Sequence, residues 1–413
     1  MQFVVIWAML LSALNAGNFM MHDRVCANPV SMNNIFVVCN DINFSNANDE
    51  YAVYMYELNK ELETLSTTKL MLNDLFVEKA IKINRHKMFL IAETRSKCVE
   101  VLAVETQSKN VDSVLEFCDS AELSLEDEYH PHTVLFDDGS LLFSMEREGV
   151  DAATVQLLYL KATTPKKYEI VRLNNYKNYV IFKMMPYKEG AVVMLRSQQR
   201  ANDAVLLKLT KNKEGSFDTS VLYETHTQML TSFDIDADRI FLYGNKVSSK
   251  MMSLFLYEID TKGAVHRHLD EYPMAFQPIG LKVSKSKGLF LAGMLTNTKK
   301  QPSDLGLMRI DIEHGNAMVS YERLERDISE SCLPPLWVED NRYMSLFFKD
   351  ARQVVRIDPV TAQVKEKILL PVSHVLLIPN SPRFLQFADK VFLTYTAVEE
   401  NIIKNIIQEV PEE

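Results

Sequence analysis

The chain has 413 residues, of which 47% are hydrophobic and 24% charged, with 55 acidic against 45 basic side chains and a formal net charge of −10. This composition is ordinary for a folded globular protein and excludes collagen, a long coiled coil and wholesale disorder. The surplus of acid also argues against general nucleic-acid binding, which needs a dominant basic field to displace counterions.

From the N-terminus, Phe3 to Leu14 reads FVVIWAMLLSAL, the only long apolar run in the sequence. It has the length of a signal-peptide core and falls short of the ~20 residues that span a bilayer. With small residues at Ala13, Ala16 and Gly17, residues 1–17 are expected to be a removed signal peptide and 18–413 a secreted, extracellular chain without a membrane span. The competing reading is a buried N-terminal strand, since no Lys or Arg precedes the run and Leu14 is a poor residue three before the cut. Five cysteines follow, none in C-x-x-C or zinc-site spacing. Four form the sequence-close pairs Cys26/Cys39 and Cys98/Cys118, as exported proteins commonly oxidise, and Cys332 is left over as a small buried hydrophobe.

A polar turn followed by apolar and β-branched residues then recurs along the chain. The instances are NNIFVVC (33–39), HKMFLIA (86–92), GSLLFSM (139–145), EGAVVML (189–195), DRIFLYG (238–244), KGLFLAG (287–293), NRYMSLFF (341–348) and DKVFLTY (389–395). The step is about fifty residues each time, the sign of a repeat architecture. A second alternating segment follows each, for example YAVYMYEL (51–58), CVEVLAVE (98–105), AVLLKLT (204–210) and SLFLYEID (253–260). Such alternation is the half-buried strand pattern. A returning strand comes next, as in SVLEFC (113–118) and TSVLYET (219–225), and one more precedes each unit, as in EKAIKIN (78–84) and GLKVS (280–284). Four antiparallel strands per fifty residues make a propeller blade. The expected fold is therefore all-β, a single β-propeller of eight four-stranded blades, with seven blades plus an accessory hairpin as the alternative. With only 12 glycines, Asn, Asp and Lys must carry many turns.

The chain ends fit this scheme. The first unit begins near its second strand and the last stops after its third, so a segment within 18–30 is expected to supply the outer strand of the last blade. Residues 398–410 also fit a helical face through Val398, Ile402, Ile403, Ile406, Ile407 and Val410, but the repeat position demands a strand. Cys98 opens one strand and Cys118 closes the next, which brings them within disulfide reach in an antiparallel pair. Cys26 and Cys39 flank the entry of the first blade and are expected to staple the closing segment.

No G-x-S-x-G, Walker, G-x-G-x-x-G or H-E-x-x-H motif occurs, so no catalytic residue and no cofactor are expected. Asp234-x-Asp236-x-Asp238 fails as a calcium loop, because Arg239 replaces the needed Gly. The pairs His130/His132 and His266/His268 read as ordinary loop or strand histidines, with no metal. Asn43-Phe44-Ser45 is the only N-glycosylation acceptor. The most suggestive feature is positional. Loops between second and third strands share one propeller face, and in six successive blades they carry Arg95 and Lys97, Arg147, Arg196 and Arg200, Lys246 and Lys250, Lys299 and Lys300, then Lys349 and Arg352. Such cations would steer an acidic partner to that face and bind its carboxylates. Aromatic residues Tyr129, Tyr176, Tyr179, Tyr272, Phe276 and Trp337 fall in the blade-to-blade links of the same face.

The export-type N-terminus, the N-terminal cysteine pair and the FLY- and FLA-type strand repeats resemble those of secreted dipteran salivary-type propellers, including the labrum-interacting salivary group. That resemblance implies a non-enzymatic protein that binds another protein, cuticular or host-derived. The yellow and royal-jelly group is a neighbouring comparison and implies capture of small amines, though the eightfold repeat fits its six-bladed layout poorly. The leading expectation is a binding propeller that recognises an extracellular protein through one loop face. The alternatives are sequestration of a small ligand in the axial channel, or a propeller hydrolase using that channel.

Overall fold

The computed structural model describes residues 18–22, 24–41, 52–72, 75–94, 98–118, 132–147, 154–164, 167–200, 202–247, 252–260, 262–272, 276–284, 288–295, 303–313, 316–328, 336–339, 343–348, 353–361, 363–369, 375–376, 383–399 and 402–410. Every regular element among them is a β-strand. They form eight antiparallel sheets taken in chain order, the architecture of an eight-bladed β-propeller.

Blade one has an interrupted inner strand, Arg24–Cys26 and Val30–Ser31, then Ile35–Asp41, Ala52–Leu58 and Thr64–Leu70. Blade two runs Leu75–Lys82, Lys87–Thr94, Val99–Glu105 and Val111–Phe117, and blade three Thr133–Leu135, Leu141–Arg147, Thr154–Thr164 and Lys167–Lys177. Blade four is Tyr179–Tyr187, Gly190–Ser197, Ala204–Lys211 and Phe217–Thr225; blade five is Gln228–Asp236, Arg239–Val247, Met252–Ile259 and Val265–Tyr272. Blade six is Phe276–Val283, Leu289–Leu295, Ser303–Glu313 and Asn316–Ile328; blade seven is Leu336–Glu339, Met344–Phe348, Gln353–Ile357 and Val364–Leu369. In blade eight, Val375–Leu376 and Arg383–Phe387 both pair with Lys390–Glu399, which pairs with Ile402–Glu409. Asn18–His22 is the outer strand of that sheet, in a register that sets Met20 against Ile406. Residues 402–409 are thus a strand, not a helix, and the repeat position overrides their helical periodicity.

The chain separates into two compact units: blades one, two and eight with the hairpin tip of blade three, and the rest of blade three with blades four to seven. Within each unit the apolar clusters cross from one blade to the next. In the first, Phe36, Val38 and Met55 of blade one pack with Val77, Met88 and Leu90 of blade two. In the second, Val192, Met194 and Leu206 of blade four pack with Phe233, Leu242 and Phe255 of blade five. A blade this thin cannot cover both of its faces, so its second strand is buried on both sides and reads as a continuous apolar run. Phe89, Leu90, Ile91 and Ala92 are all fully buried, whereas Phe217–Thr225 at the outer edge of blade four is largely exposed.

Both cysteine pairs are disulfides. Cys26 and Cys39 are register partners on the first two strands of blade one, next to the segment that completes blade eight. Cys98 and Cys118 join the start of one strand to the end of the next in blade two.

The inner strands share a further device. Their pairing with the second strand skips a residue at Glu78, Phe182, Thr231 and Ile279 in blades two, four, five and six. A bulge frees backbone groups from the ladder, and in blades two and five side chains of the preceding blade bond the backbone next to the skipped residue, at Val77 and Leu230. Asn40 of blade one, wholly buried, donates from Nδ2 to the carbonyls of Val25 (3.1 Å) and Val77 (2.9 Å), and its Oδ1 accepts from Val77 N–H at 2.8 Å. Asn28 spans to Ala80 in the same way. In the second unit Arg196 of blade four donates to Leu230 O of blade five at 2.7 Å, and Asp234 of blade five accepts from Val283 N–H of blade six at 2.8 Å. Asn40 and Arg196 both stand six residues after the turn position of their repeats, Asn34 and Gly190.

Turns between inner and second strands are tight. Lys188, Ala237 and Ala388 adopt positive φ values of 53°, 51° and 55° there, a left-handed conformation that side chains disfavour. Lysine and asparagine do carry such turns, at Lys109, Asn178 and Lys188, but alanine and leucine do so as well. A side chain at Gly244 would meet the Met229 carbonyl at 2.1 Å, so this strand crossing requires glycine.

Candidate recognition surface

The second-to-third-strand loops of blades four and five leave the second unit at one end, together with the link from Thr225 to Gln228. Thr225 Oγ1 accepts from the amides of Thr227 (3.3 Å) and Gln228 (3.1 Å), which fixes this link as a compact turn. Gln228 is thereby held between two phenols. Tyr223 donates to Gln228 Oε1 at 2.5 Å, and Gln228 Nε2 donates to Tyr257 Oη at 3.2 Å. Tyr257 donates in turn to Asp270 at 2.8 Å. The same carboxylate accepts from Lys246 Nζ and, at 3.2 Å, from Arg267 Nη1. The Arg267 guanidinium also lies 5.5 Å from the Tyr257 ring centroid, close enough for a cation–π contact.

The electrostatics follow from this wiring. Burial alone would raise the Asp270 carboxyl, but the bonds from Lys246 and Tyr257 hold it below the usual carboxylate range. Burial and the Asp270 carboxylate push the Tyr257 phenol up. Tyr223 is pushed up to about 12, chiefly by burial and then by Tyr257. The network is therefore a fixed set of dipoles with a carboxylate already engaged by three donors, suited to ordering a surface and not to proton exchange near neutrality.

Beyond this network stand groups that face solvent. His226 is exposed, with Nδ1 3.2 Å from Asp203 and Nε2 3.4 Å from Glu224. Arg200 is exposed on the loop after Gly190–Ser197, where Ser197 Oγ accepts its amide at 3.3 Å, and among the described residues its guanidinium has no ion pair. Tyr179 lies nearby, its phenol pushed up by burial and by the carboxylates of Asp203 and Glu224.

The cations expected on this face thus play different parts. Arg200 points outward. Arg196 is turned inward, bonded to Leu230 O and stacked 4.4 Å from the Phe182 ring centroid, where it clamps the next blade. Lys246 is tied to Asp270. Arg147 ends the second strand of blade three. Arg95, Lys97, Lys250, Lys299, Lys300, Lys349 and Arg352 lie outside the described residues, as do residues 1–17, Asn43 and Cys332. Asp270, Gln228 and the two tyrosines were not expected here. Their only trace in the sequence is polar side chains at the loop ends of otherwise apolar strands. The remaining polar motifs are dispersed: Asp234 goes to Val283 and Lys282, Asp236 to Arg239, and Asp238 to Lys188. His266 pairs with Asp260, and His268 with Glu258.

A concave feature of about 420 Å³ lies at the opposite, turn end of the same unit. It is lined by Leu135, Phe136, Asp137 and Asp138 of blade three and by Pro186, Lys188, Glu189 and Lys211 of blade four.

No protein-family model matches the sequence, and no curated protein matches it. Solved structures do. Sqt1 of Saccharomyces cerevisiae is 10% identical with a TM-score of 0.55, over 96% of this chain and 98% of that one. Dihydro-heme d1 dehydrogenase NirN, in complex with DHE, is 12% identical with a TM-score of 0.52, over 87% of this chain and 72% of that one. A puromycin hydrolase is 10% identical with a TM-score of 0.47, over 90% of this chain, which spans 58% of the hydrolase. At such low identity the likeness is one of fold alone.

Proposed function

We propose that this chain is a secreted binding propeller that docks an extracellular protein, acidic or cuticular, through the loop end of blades four and five. The observation that carries this reading is Arg200 exposed without an ion pair beside His226, on a surface whose polar groups are locked by the Tyr223–Gln228–Tyr257–Asp270 chain. A rigid surface loses little entropy on association, and an exposed guanidinium with flanking phenols is the chemistry of an interface anchor. Export is supported by two disulfides, which persist in oxidising compartments, and by the apolar run Phe3 to Leu14.

Photo-crosslinkers placed at Gln199 and, separately, at Glu214 on the turn end test the docking face in fluid from the expressing tissue. One recurrent acidic adduct from position 199, absent from position 214 and abolished by Arg200→Ala with His226→Ala, is the expected result. Equal labelling from both positions would dismiss the face. Export is checked by the mature N-terminus in the culture medium, expected at residue 18, and by a mass shift at Asn43 on deglycosylation.

A further inference from the structure

The groove at the turn end of blades three and four has a composition that the loop-end surface does not share. Its lining holds one aromatic ring, that of half-buried Phe136. The Phe136 ring packs edge-on to Tyr159 (6.0 Å, 82°) and beside Phe217 (5.7 Å), while Tyr159 and Phe217 meet at 4.8 Å and 88°. Tyr159, fully buried on the third strand of blade three, and Phe217 of the outer strand of blade four stand behind Phe136 and do not line the groove, so that ring is braced across two blades. Leu135 and Pro186 add to the lining.

The charges around the groove divide into engaged and unengaged groups. Lys211 is bonded to Asp138 at 2.5 Å and lies 5.9 Å from the Phe136 centroid and 5.7 Å from that of Tyr159. Burial would lower the Lys211 ammonium, but the bond to Asp138 raises it, so this cation is committed. Lys188 pairs with Asp238 at 3.2 Å, outside the groove. What remains are Asp137 and Glu189, both exposed, on the facing turns of the two blades, and neither has an ion pair among the described residues. The groove therefore sets the Phe136 ring beside two carboxylates without an ion pair, and each of its lysines is already engaged by an aspartate.

We infer that this groove binds an arginine-bearing, aromatic-flanked segment of a partner polypeptide. The planar guanidinium can lie against the accessible part of the half-buried Phe136 ring and at the same time give a bidentate bond to a carboxylate. Carboxylates on both rims let the segment run across the groove with an arginine at each side, and a volume near 420 Å³ sits within the ~300–1,000 Å³ of ligand sites. This site is at the other end of the unit from Arg200, so it stands or falls separately from the loop-end reading.

The probe is an acetylated, amidated Arg-Phe-Arg peptide, titrated calorimetrically into the full mature chain at low and at physiological salt. Saturable binding is expected, weakened at least tenfold by the exposed pair Asp137→Asn with Glu189→Gln and by replacing both arginines of the peptide with citrulline. Arg200→Ala should leave it unchanged. The variant's melting temperature should match the parent, because both carboxylates face solvent. Equal affinity for the citrulline peptide, no saturation with the parent protein, or full retention in the double variant would overturn the proposal. Methylguanidinium binding as tightly as the peptide would overturn the assignment to a polypeptide segment.

Discussion

Asn40 offers the sharpest test of how one blade holds the next. Its side chain makes three hydrogen bonds, to Val25 O, Val77 O and Val77 N–H, and all lie out of water. Alanine removes every one and leaves the bulge of blade two without its clasp. At ~1–1.5 kcal/mol per bond with a small added cavity, Asn40→Ala should cost about 3–5 kcal/mol. Asn40→Asp provides the control that separates shape from wiring. It keeps an acceptor for Val77 N–H but sets a buried carboxylate against two carbonyl oxygens, so it should cost at least as much. The assay is urea unfolding followed by far-ultraviolet circular dichroism, with hydrogen exchange of the segment Leu75–Lys82. A loss below about 1 kcal/mol for alanine, or unchanged protection at Val77, would refute the clasp.

Three further outcomes follow from the same reasoning. Glu78, beside the blade-two bulge, has its carboxyl pushed up to about 7 by burial and by Glu93; because its folded pKa lies above the unfolded one, its contribution is intact below about pH 4.5 and is lost as pH rises through 7. Glu78→Gln should therefore stabilise the protein at pH 8, on the order of 2–3 kcal/mol, and not at pH 4; a pH-independent effect in paired thermal melts would contradict this. Ala237→Gly should gain about 0.5–1 kcal/mol by relieving the left-handed turn, net of glycine's entropy, whereas loss of stability in the melt would show that the turn is unstrained. Asp270→Asn should flatten the acid limb of the stability profile, since a carboxyl held low by Lys246 and Tyr257 stabilises above its unfolded pKa and ceases to as pH falls through the folded one; an unaltered limb would argue that the network contributes nothing.

The blade repeat was legible because burial imposes it. Second strands are covered on both faces and must be apolar throughout, so HKMFLIA and DRIFLYG announce themselves at a fixed step. The cysteine pairings were legible for a related reason, since antiparallel strands oppose starts to ends. The clasp was not. The same repeat position is Asn40 in one blade and Arg196 in another, because any donor that reaches a bulge carbonyl serves, and a geometric role filled by different chemistries leaves no motif. Arg196 was accordingly expected on the outer face, whereas it serves the interior. The turn-end groove was equally hidden. Its wall and rims come from Phe136, Pro186 and Lys211, far apart in sequence, and charges in turns look alike until their partners are placed. At the loop end of blades four and five the sequence showed charged loops, but only placement separates Arg200, which faces solvent, from Lys246, which Asp270 engages.

The eight-bladed architecture depends most on blade eight being completed by the N-terminal segment in a defined register, since that fixes how eight blades share one chain. Met20 and Ile406 are partners in that pairing, and Ile403 is not a partner of Met20. Cysteines at positions 20 and 406, in a Cys332→Ser background under mild oxidation, should form an intramolecular crosslink nearly quantitatively, while cysteines at 20 and 403 should not. Crosslinking at 403 in place of 406, or only between separate molecules, would contradict the architecture.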